Sequence, residues 1–127
     1  MICYRANDCA DIFRDEDGVH ERGNFDMTRW VAIFEDNPEP EMRSIRKEHA
    51  EEHFAYLAKN SNKILLGGGL RNAPGEWYCG GMWVIEVESR EDAVALCEHD
   101  PFYKRGLRKG YHLYVWGKAP CYRTVEL

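Results

Sequence analysis

Three stretches of this chain are apolar on both of their alternating sides, and this limits what it can fold into. In TRWVAIF (28–34), Trp30, Ala32 and Phe34 alternate with Val31 and Ile33. In GMWVIEVE (81–88), Trp83, Ile85 and Val87 alternate with Met82 and Val84, and in YHLYVWG (111–117), Leu113 and Val115 alternate with Tyr114 and Trp116. β-Branched and aromatic residues mark all three as strands. A sheet with one face in water would alternate apolar with polar residues, so both faces of this one must be covered.

The segments between them decide how. NPEPE breaks the chain after the first strand and opens a helix at Pro40 or Glu41 that runs to about Asn60. At 100° per residue, Met42, Ile45, His49, Ala50, His53, Tyr56 and Leu57 share one side of it. KILLGGGL (63–70) reads as a further strand, and RNAPGEWYCG as a loop turning at Pro-Gly, so this strand and 81–88 form a hairpin. SREDAVALCEHD begins with a Ser cap followed by Asp three residues later and brings Val94 and Cys97 to one side of a second, shorter helix. The order is βαββαβ, the split arrangement of ferredoxin-like α+β folds, and 127 residues hold one such domain. Two helices cover one face of a four-stranded sheet. A second copy of the chain is the economical cover for the other, with the acidic, turn-rich N-terminal extension 1–27 as the competing one. Residues 118–127 form a short tail.

Composition excludes several classes. A formal net charge of −5 disfavours a nucleic-acid binder, which needs clustered Lys and Arg. The one basic run, KRGLRK (104–109), reads as a solvated turn rather than an anion contact. No apolar run is long enough to span a bilayer, and MICYRANDCADIF lacks the basic and apolar regions of a signal peptide, so a cytoplasmic protein is expected. Cys3, Cys9, Cys79, Cys97 and Cys121 are odd in number and scattered, as free thiols are.

The segment RKEHAEEHFAYL (46–57) carries the first candidate chemistry. His49 and His53 have the i, i+4 spacing of two zinc ligands, with Glu52 as the base of an inverted zincin. That reading needs a third ligand, for which the second helix offers Glu91 and Glu98. The bland alternative is two helix-face histidines satisfied by tyrosine or backbone partners. A buried polar group without a partner costs roughly 1–3 kcal/mol, so His49, central on an apolar face, calls for a reason. A histidine there can take and return a proton near neutrality. Asp100, in HDPFYKRGL, is the carboxylate best placed to orient it, and as the residue before Pro101 it is also an ordinary helix cap. In LLGGGL, Gly67, Gly68 and Gly69 stand inside a strand, where glycine packs nothing; a ligand or another chain approaching the backbone explains them, or else a β-bulge.

Taken together, Arg46 with His49, the strand ending in Gly67 to Gly69, Ser89 to Ala93 after a strand, and Asp100-Pro101-Phe102 resemble the pattern of the YCII-related family across about residues 28–117. The resemblance implies a dimeric α+β barrel, in which two ferredoxin-like sheets pack face to face, and a site containing the histidine and the aspartate, with His49 as the matching histidine. Among similar proteins are a dehydrochlorinase acting on a chlorinated hydroxyhydroquinone and, sharing the barrel architecture, muconolactone isomerases.

The expected function is therefore a cofactor-independent lyase or isomerase acting on a small cyclic oxygenated or chlorinated molecule. His49 would transfer the proton, Asp100 orient it and Arg46 steady an anionic oxygen. Gly68, Gly69, Trp30, Trp83, Phe102, Tyr103 and Trp116 would contact the substrate. A homodimer without bound metal, nucleic acid or membrane is expected. The alternatives are a small-molecule binding or sensing protein that uses the same pocket without turnover, and a zinc hydrolase.

Overall fold

Four antiparallel strands in the order β2-β3-β1-β4 form the sheet, flanked by helices in the chain order β1 (Thr28–Asp36), α1 (Met42–Glu48), α2 (Ala50–Lys59), β2 (Ile64–Leu70), β3 (Gly80–Val87), α3 (Arg90–Glu98), α4 (Pro101–Lys104), β4 (Arg108–Val115). This is the ferredoxin-like α+β arrangement. The computed structural model describes residues 27–117, 119 and 120. The expected extension before residue 27, most of the expected tail, and Cys3, Cys9 and Cys121 lie outside the described residues.

Register sorts the side chains between the faces. Trp30 stands opposite Ile85 and Val115, Ala32 opposite Trp83 and Leu113, and Phe34 opposite Tyr111. Cross-strand partners share a face, and this one carries the core: Ala32, Phe34, Trp83, Ile85 and Val87 are buried with Ala93, Leu96 and Cys97 of α3. Each large apolar side chain buried here contributes about 1.5–3 kcal/mol, and the Phe34 and Trp83 rings meet edge to face at 4.7 Å. The other face carries Leu66, Val84, Val31 and Tyr114 in one row and Met82, Ile33 and His112 in the next. Leu66 remains 52% exposed and Tyr114 57%. No described helix covers that face, and none of them is long and apolar enough to cross a membrane.

The expected 40–60 helix is two. At His49, φ −117° and ψ 19° end α1 and begin α2. The hydrogen-bond ladder still runs through the bend, because His49 N–H donates to Ile45 O and His53 N–H to His49 O. The expected apolar side survives: Met42, Ile45, His49, Ala50, His53, Tyr56 and Leu57 are all buried or half-buried. Ser89 caps α3, its hydroxyl accepting from Asp92 N–H at 3.1 Å.

The last strand begins at Arg108 instead of residue 111 and ends at Val115. Its start carries KRGLRK out of the solvent class: Leu107 and Arg108 are buried, and the charges on either side of them are exposed. A register shift between Glu35 and Asp36 pairs Asp36 with Arg108. The β2 register shifts between Ile64 and Leu66, ahead of the glycines rather than at them.

Candidate functional site

The alternation of β1 that buries Ala32 and Phe34 also carries Asp36 inward. A buried carboxylate needs a cation or several hydrogen bonds, and Asp36 has two cations. Its Oδ1 accepts from Arg108 Nη1 at 2.8 Å, and its Oδ2 from Arg46 Nη2 at 2.5 Å. Arg108 comes from β4 and Arg46 from α1, so one carboxylate joins three elements.

Asp100 is the second buried carboxylate, with no exposed surface. Oδ1 lies 2.7 Å from His53 Nδ1, and Oδ2 lies 3.6 Å from Arg108 Nε. A carboxylate can only accept, so the neutral imidazole carries its proton on Nδ1 and its lone pair on Nε2. His53 is 6% exposed and lies flat on the Phe102 ring, with centroids 4.1 Å apart and planes 9° apart. Packing and the hydrogen bond together fix the ring in one orientation. The Arg108 guanidinium lies over the Phe34 ring at 4.6 Å and close to the Phe102 ring at 5.4 Å. With neutral His53, the two aspartates and two arginines of this cluster balance.

The expected pairing of His49 with Asp100 is therefore corrected to His53 with Asp100. His49 stands at the bend, half-exposed, with Nδ1 3.5 Å from Glu52 Oε1. The residue one turn further on is the one aimed under the helix at Asp100. Asp100 precedes α4 as its cap residue, but its side chain makes no capping hydrogen bond; both oxygens face the cluster instead. Among the described residues, no three His, Cys, Asp or Glu side chains gather as a metal site, so Glu91 and Glu98 do not join the histidines.

A cavity of about 200 Å³ opens beside the imidazole, lined by His53, Arg46, Arg108, Phe54, Leu57, Trp83 and Phe102, with Tyr78 and the three glycines 67–69 along β2. Of the expected contacts, Arg46, Gly68, Gly69, Trp83 and Phe102 line it. Trp30, Tyr103 and Trp116 do not: Trp30 packs at the edge of the core, Tyr103 meets the Tyr111 ring at 5.9 Å, and Trp116 lies past β4 with its backbone N–H on Arg29 O. A side chain at Gly69 would meet the Tyr78 ring, as its Cβ would come within 2.6 Å of Cδ1, and one at Gly67 would press on Trp83 at 3.1 Å. Aromatic rings thus approach the backbone where a ligand or another chain was expected.

Sequence reasoning weighed His53 only as a zinc ligand or a helix-face residue, and it missed Arg108, Asp36 and Tyr78. Extending the Trp30-Ala32-Phe34 alternation by one step would have turned Asp36 inward, and a buried carboxylate calls for an arginine.

The charge of Asp100 reaches two neighbours. Burial, with Asp100 as the next cause, pushes the Cys97 thiol up to about 12, and the same two causes push the Tyr56 phenol up to about 12. Tyr56 donates its hydroxyl to Leu96 O at 2.8 Å. Both groups stay protonated near neutrality, and neither lines the cavity that His53 faces.

A model of the YCII-related domain matches residues 28–117. No curated protein matches the chain. Among solved structures, a 5-chloro-2-hydroxyhydroquinone dehydrochlorinase from Burkholderia phenoliruptrix, in complex with 2,5-dihydroxybenzoquinone, is similar at 25% identity and a TM-score of 0.64; the match covers 72% of this chain and 95% of that one. A dimeric protein of unknown function and ferredoxin-like fold from Bacteroides fragilis is 16% identical, with a TM-score of 0.40 over 72% of this chain and 97% of that one. A dimeric ferredoxin-like protein of unknown function from Thermobifida fusca is 15% identical, with a TM-score of 0.36 over 72% of this chain and 91% of that one.

Proposed function

The chain belongs to the YCII-related family, and from that premise we propose that it is a cofactor-independent enzyme of lyase or isomerase type in which His53 moves protons on a small oxygenated ring. The observation that carries this reading is the buried His53–Asp100 pair, 2.7 Å apart, on the wall of an aromatic cavity. The solved dehydrochlorinase supports the substrate class, since it holds a dihydroxybenzoquinone in a similar fold.

The chemistry asks little beyond an oriented imidazole. In a dehydrochlorination of a hydroxylated ring, ketonisation moves a hydroxyl proton to the chlorine-bearing carbon. Loss of a second hydroxyl proton then lets the electron pair expel chloride, so HCl leaves overall. His53 Nε2 takes the first proton, returns it to carbon and takes the second, while Asp100 holds Nδ1–H and stabilises the imidazolium; such general acid–base help is worth roughly 10²–10⁴ in rate. Arg46 and Arg108 face the same cavity and favour the anionic oxygen formed at each deprotonation. An isomerisation uses the proton transfers without the leaving group.

The apolar outer face supports a homodimer as the working form. Leu66 and Tyr114 are more than half exposed at the two ends of a row that runs through half-buried Val31 and buried Val84, and an exposed apolar patch is covered in most soluble proteins.

The test is 2,5-dihydroxybenzoquinone binding and turnover of 5-chloro-2-hydroxyhydroquinone by the purified protein and its His53→Gln and His49→Gln variants. Binding with chloride release that His53→Gln abolishes and His49→Gln keeps is the expected result. Binding without turnover of this or other hydroxylated rings and lactones would favour a sensing protein. Activity lost in His49→Gln and kept in His53→Gln would overturn the assignment.

A further inference from the structure

Beside the cavity at His53 lies a second one of about 210 Å³, lined among others by Asn37, Met42, Arg43 and Trp77. The two cavities share two side chains, Arg46 and Tyr78. Neither alone reaches the ~300 Å³ of the smallest drug-sized pockets, and joined they would pass it. What separates them therefore decides whether the site holds one ring or something larger.

The two shared residues are held differently. Arg46 is anchored by the buried Asp36 carboxylate at 2.5 Å. Tyr78 comes from the loop between β2 and β3, is 43% exposed, and among the described residues its hydroxyl makes no hydrogen bond. Its ring is held between the guanidinium groups of Arg46 and Arg71, at 4.8 and 4.9 Å, and against the bare backbone of Gly69. Exposed cation–π contacts are worth about 0.5–1 kcal/mol each, so no strong bond fixes the ring. Its seat exists because residue 69 has no side chain.

We propose that Tyr78 is the specificity-determining partition of this site: seated on Gly69, it closes the His53 cavity to ligands larger than a single ring, and its removal opens the way to the Arg43–Trp77 cavity. This rests on the reading of the His53 cavity as a ring-binding site. The second cavity suits the outer part of a longer, flat ligand, its two arginines being matched by Asp36 and Glu39 in the same lining. Arg43 stacks on Trp77 at 4.7 Å, and Arg46 stands between the two spaces.

The partition can be removed in two independent ways. Tyr78→Ala deletes the ring, and Gly69→Ala leaves the tyrosine in the sequence but puts a methyl group where the ring lies. Tyr78→Phe keeps the ring and serves as control. The probes are 2,5-dihydroxybenzoquinone, with one ring, and 2-hydroxy-1,4-naphthoquinone, with two fused rings, and affinity is read from quenching of tryptophan fluorescence, since Trp83 lines the cavity. The wild type and Tyr78→Phe are expected to prefer the one-ring probe. Tyr78→Ala and Gly69→Ala should shift the ratio of affinities toward the two-ring probe by about tenfold or more. One-ring binding to the wild type with a ratio unchanged within about twofold in folded Tyr78→Ala would overturn the partition alone, as would equal binding of both probes by the wild type. Failure of the wild type to bind the one-ring probe would overturn the underlying reading of the cavity, and the partition with it. Should Gly69→Ala not fold, Tyr78→Ala decides.

Discussion

His53 Nδ1 and Asp100 Oδ1 lie 2.7 Å apart in a place where Asp100 has no exposed surface. A hydrogen bond from a ring nitrogen to a fully buried carboxylate fixes tautomer and orientation at once. Asp100→Asn keeps the shape and removes the charge. We expect turnover of a hydroxylated ring to fall by roughly 10²–10⁴ while one-ring binding changes little; steady-state kinetics beside fluorescence titration would separate the two. An equal loss of binding and rate would instead mean that Asp100 holds the cavity open and does not act through His53.

Arg108 serves both aspartates, with Nη1 on Asp36 and Nε facing Asp100. Replacing it by Met strands Asp100 without a cation inside the protein. Breaking a buried pair in this way costs about 3–5 kcal/mol, which urea unfolding should register. Arg108→Lys keeps the charge but not the fork that spans the two carboxylates, and should lose less. A Met variant as stable as the wild type would show that the cluster contributes nothing to folding.

The chain should lose stability in alkali. The Cys97 thiol is raised from 9.0 to about 12 by burial and then by Asp100, and the Tyr56 phenol from 10.0 to about 12 by the same causes. A group whose folded value is raised keeps its proton in the native state while the unfolded chain releases it. Its contribution is whole below the unfolded value and is lost as pH rises through the folded one, here between about 9 and 12. Each group adds a slope of up to about 1.4 kcal/mol per pH unit. Urea midpoints measured from pH 8 to 11 should fall, and Cys97→Ala should make the fall shallower by about one proton.

Leu66→Glu tests the outer face. The residue is half-exposed within one chain, so the charge should spare the fold and repel a second copy. Light scattering should give a dimer mass for the wild type and a monomer mass for the variant, with unchanged circular dichroism. A monomeric wild type at micromolar concentration would refute the dimer and leave the outer face to be covered by another part of the chain.

The order of strands and helices, the apolar side of α1 and α2, and the Ser89 cap were legible because each depends on local periodicity or capping chemistry. The choice between His49 and His53 was not. A 100° step treats residues 40–60 as one straight helix, and the bend at His49 lies below the resolution of that count. Arg108 was hidden for the opposite reason. A run of basic residues looks solvated until Asp36, 72 positions earlier, is placed across the sheet from it. Asp100 could be found because its neighbours Pro101 and Phe102 carry a motif.

That long reach has a kinetic consequence. Asp36 and Arg108 are 72 positions apart and His53 and Asp100 47 apart, so the cluster cannot assemble from neighbouring segments. It forms when the last strand pairs with the first along one edge of the sheet, and contacts so distant in sequence are slow to close. In a refolding experiment, helical signal should return first, and one-ring binding should return with the pairing of β1 to β4. The ligand would then serve as a clock for the final step of folding, and a chain truncated before Arg108 would regain helix without ever regaining a site.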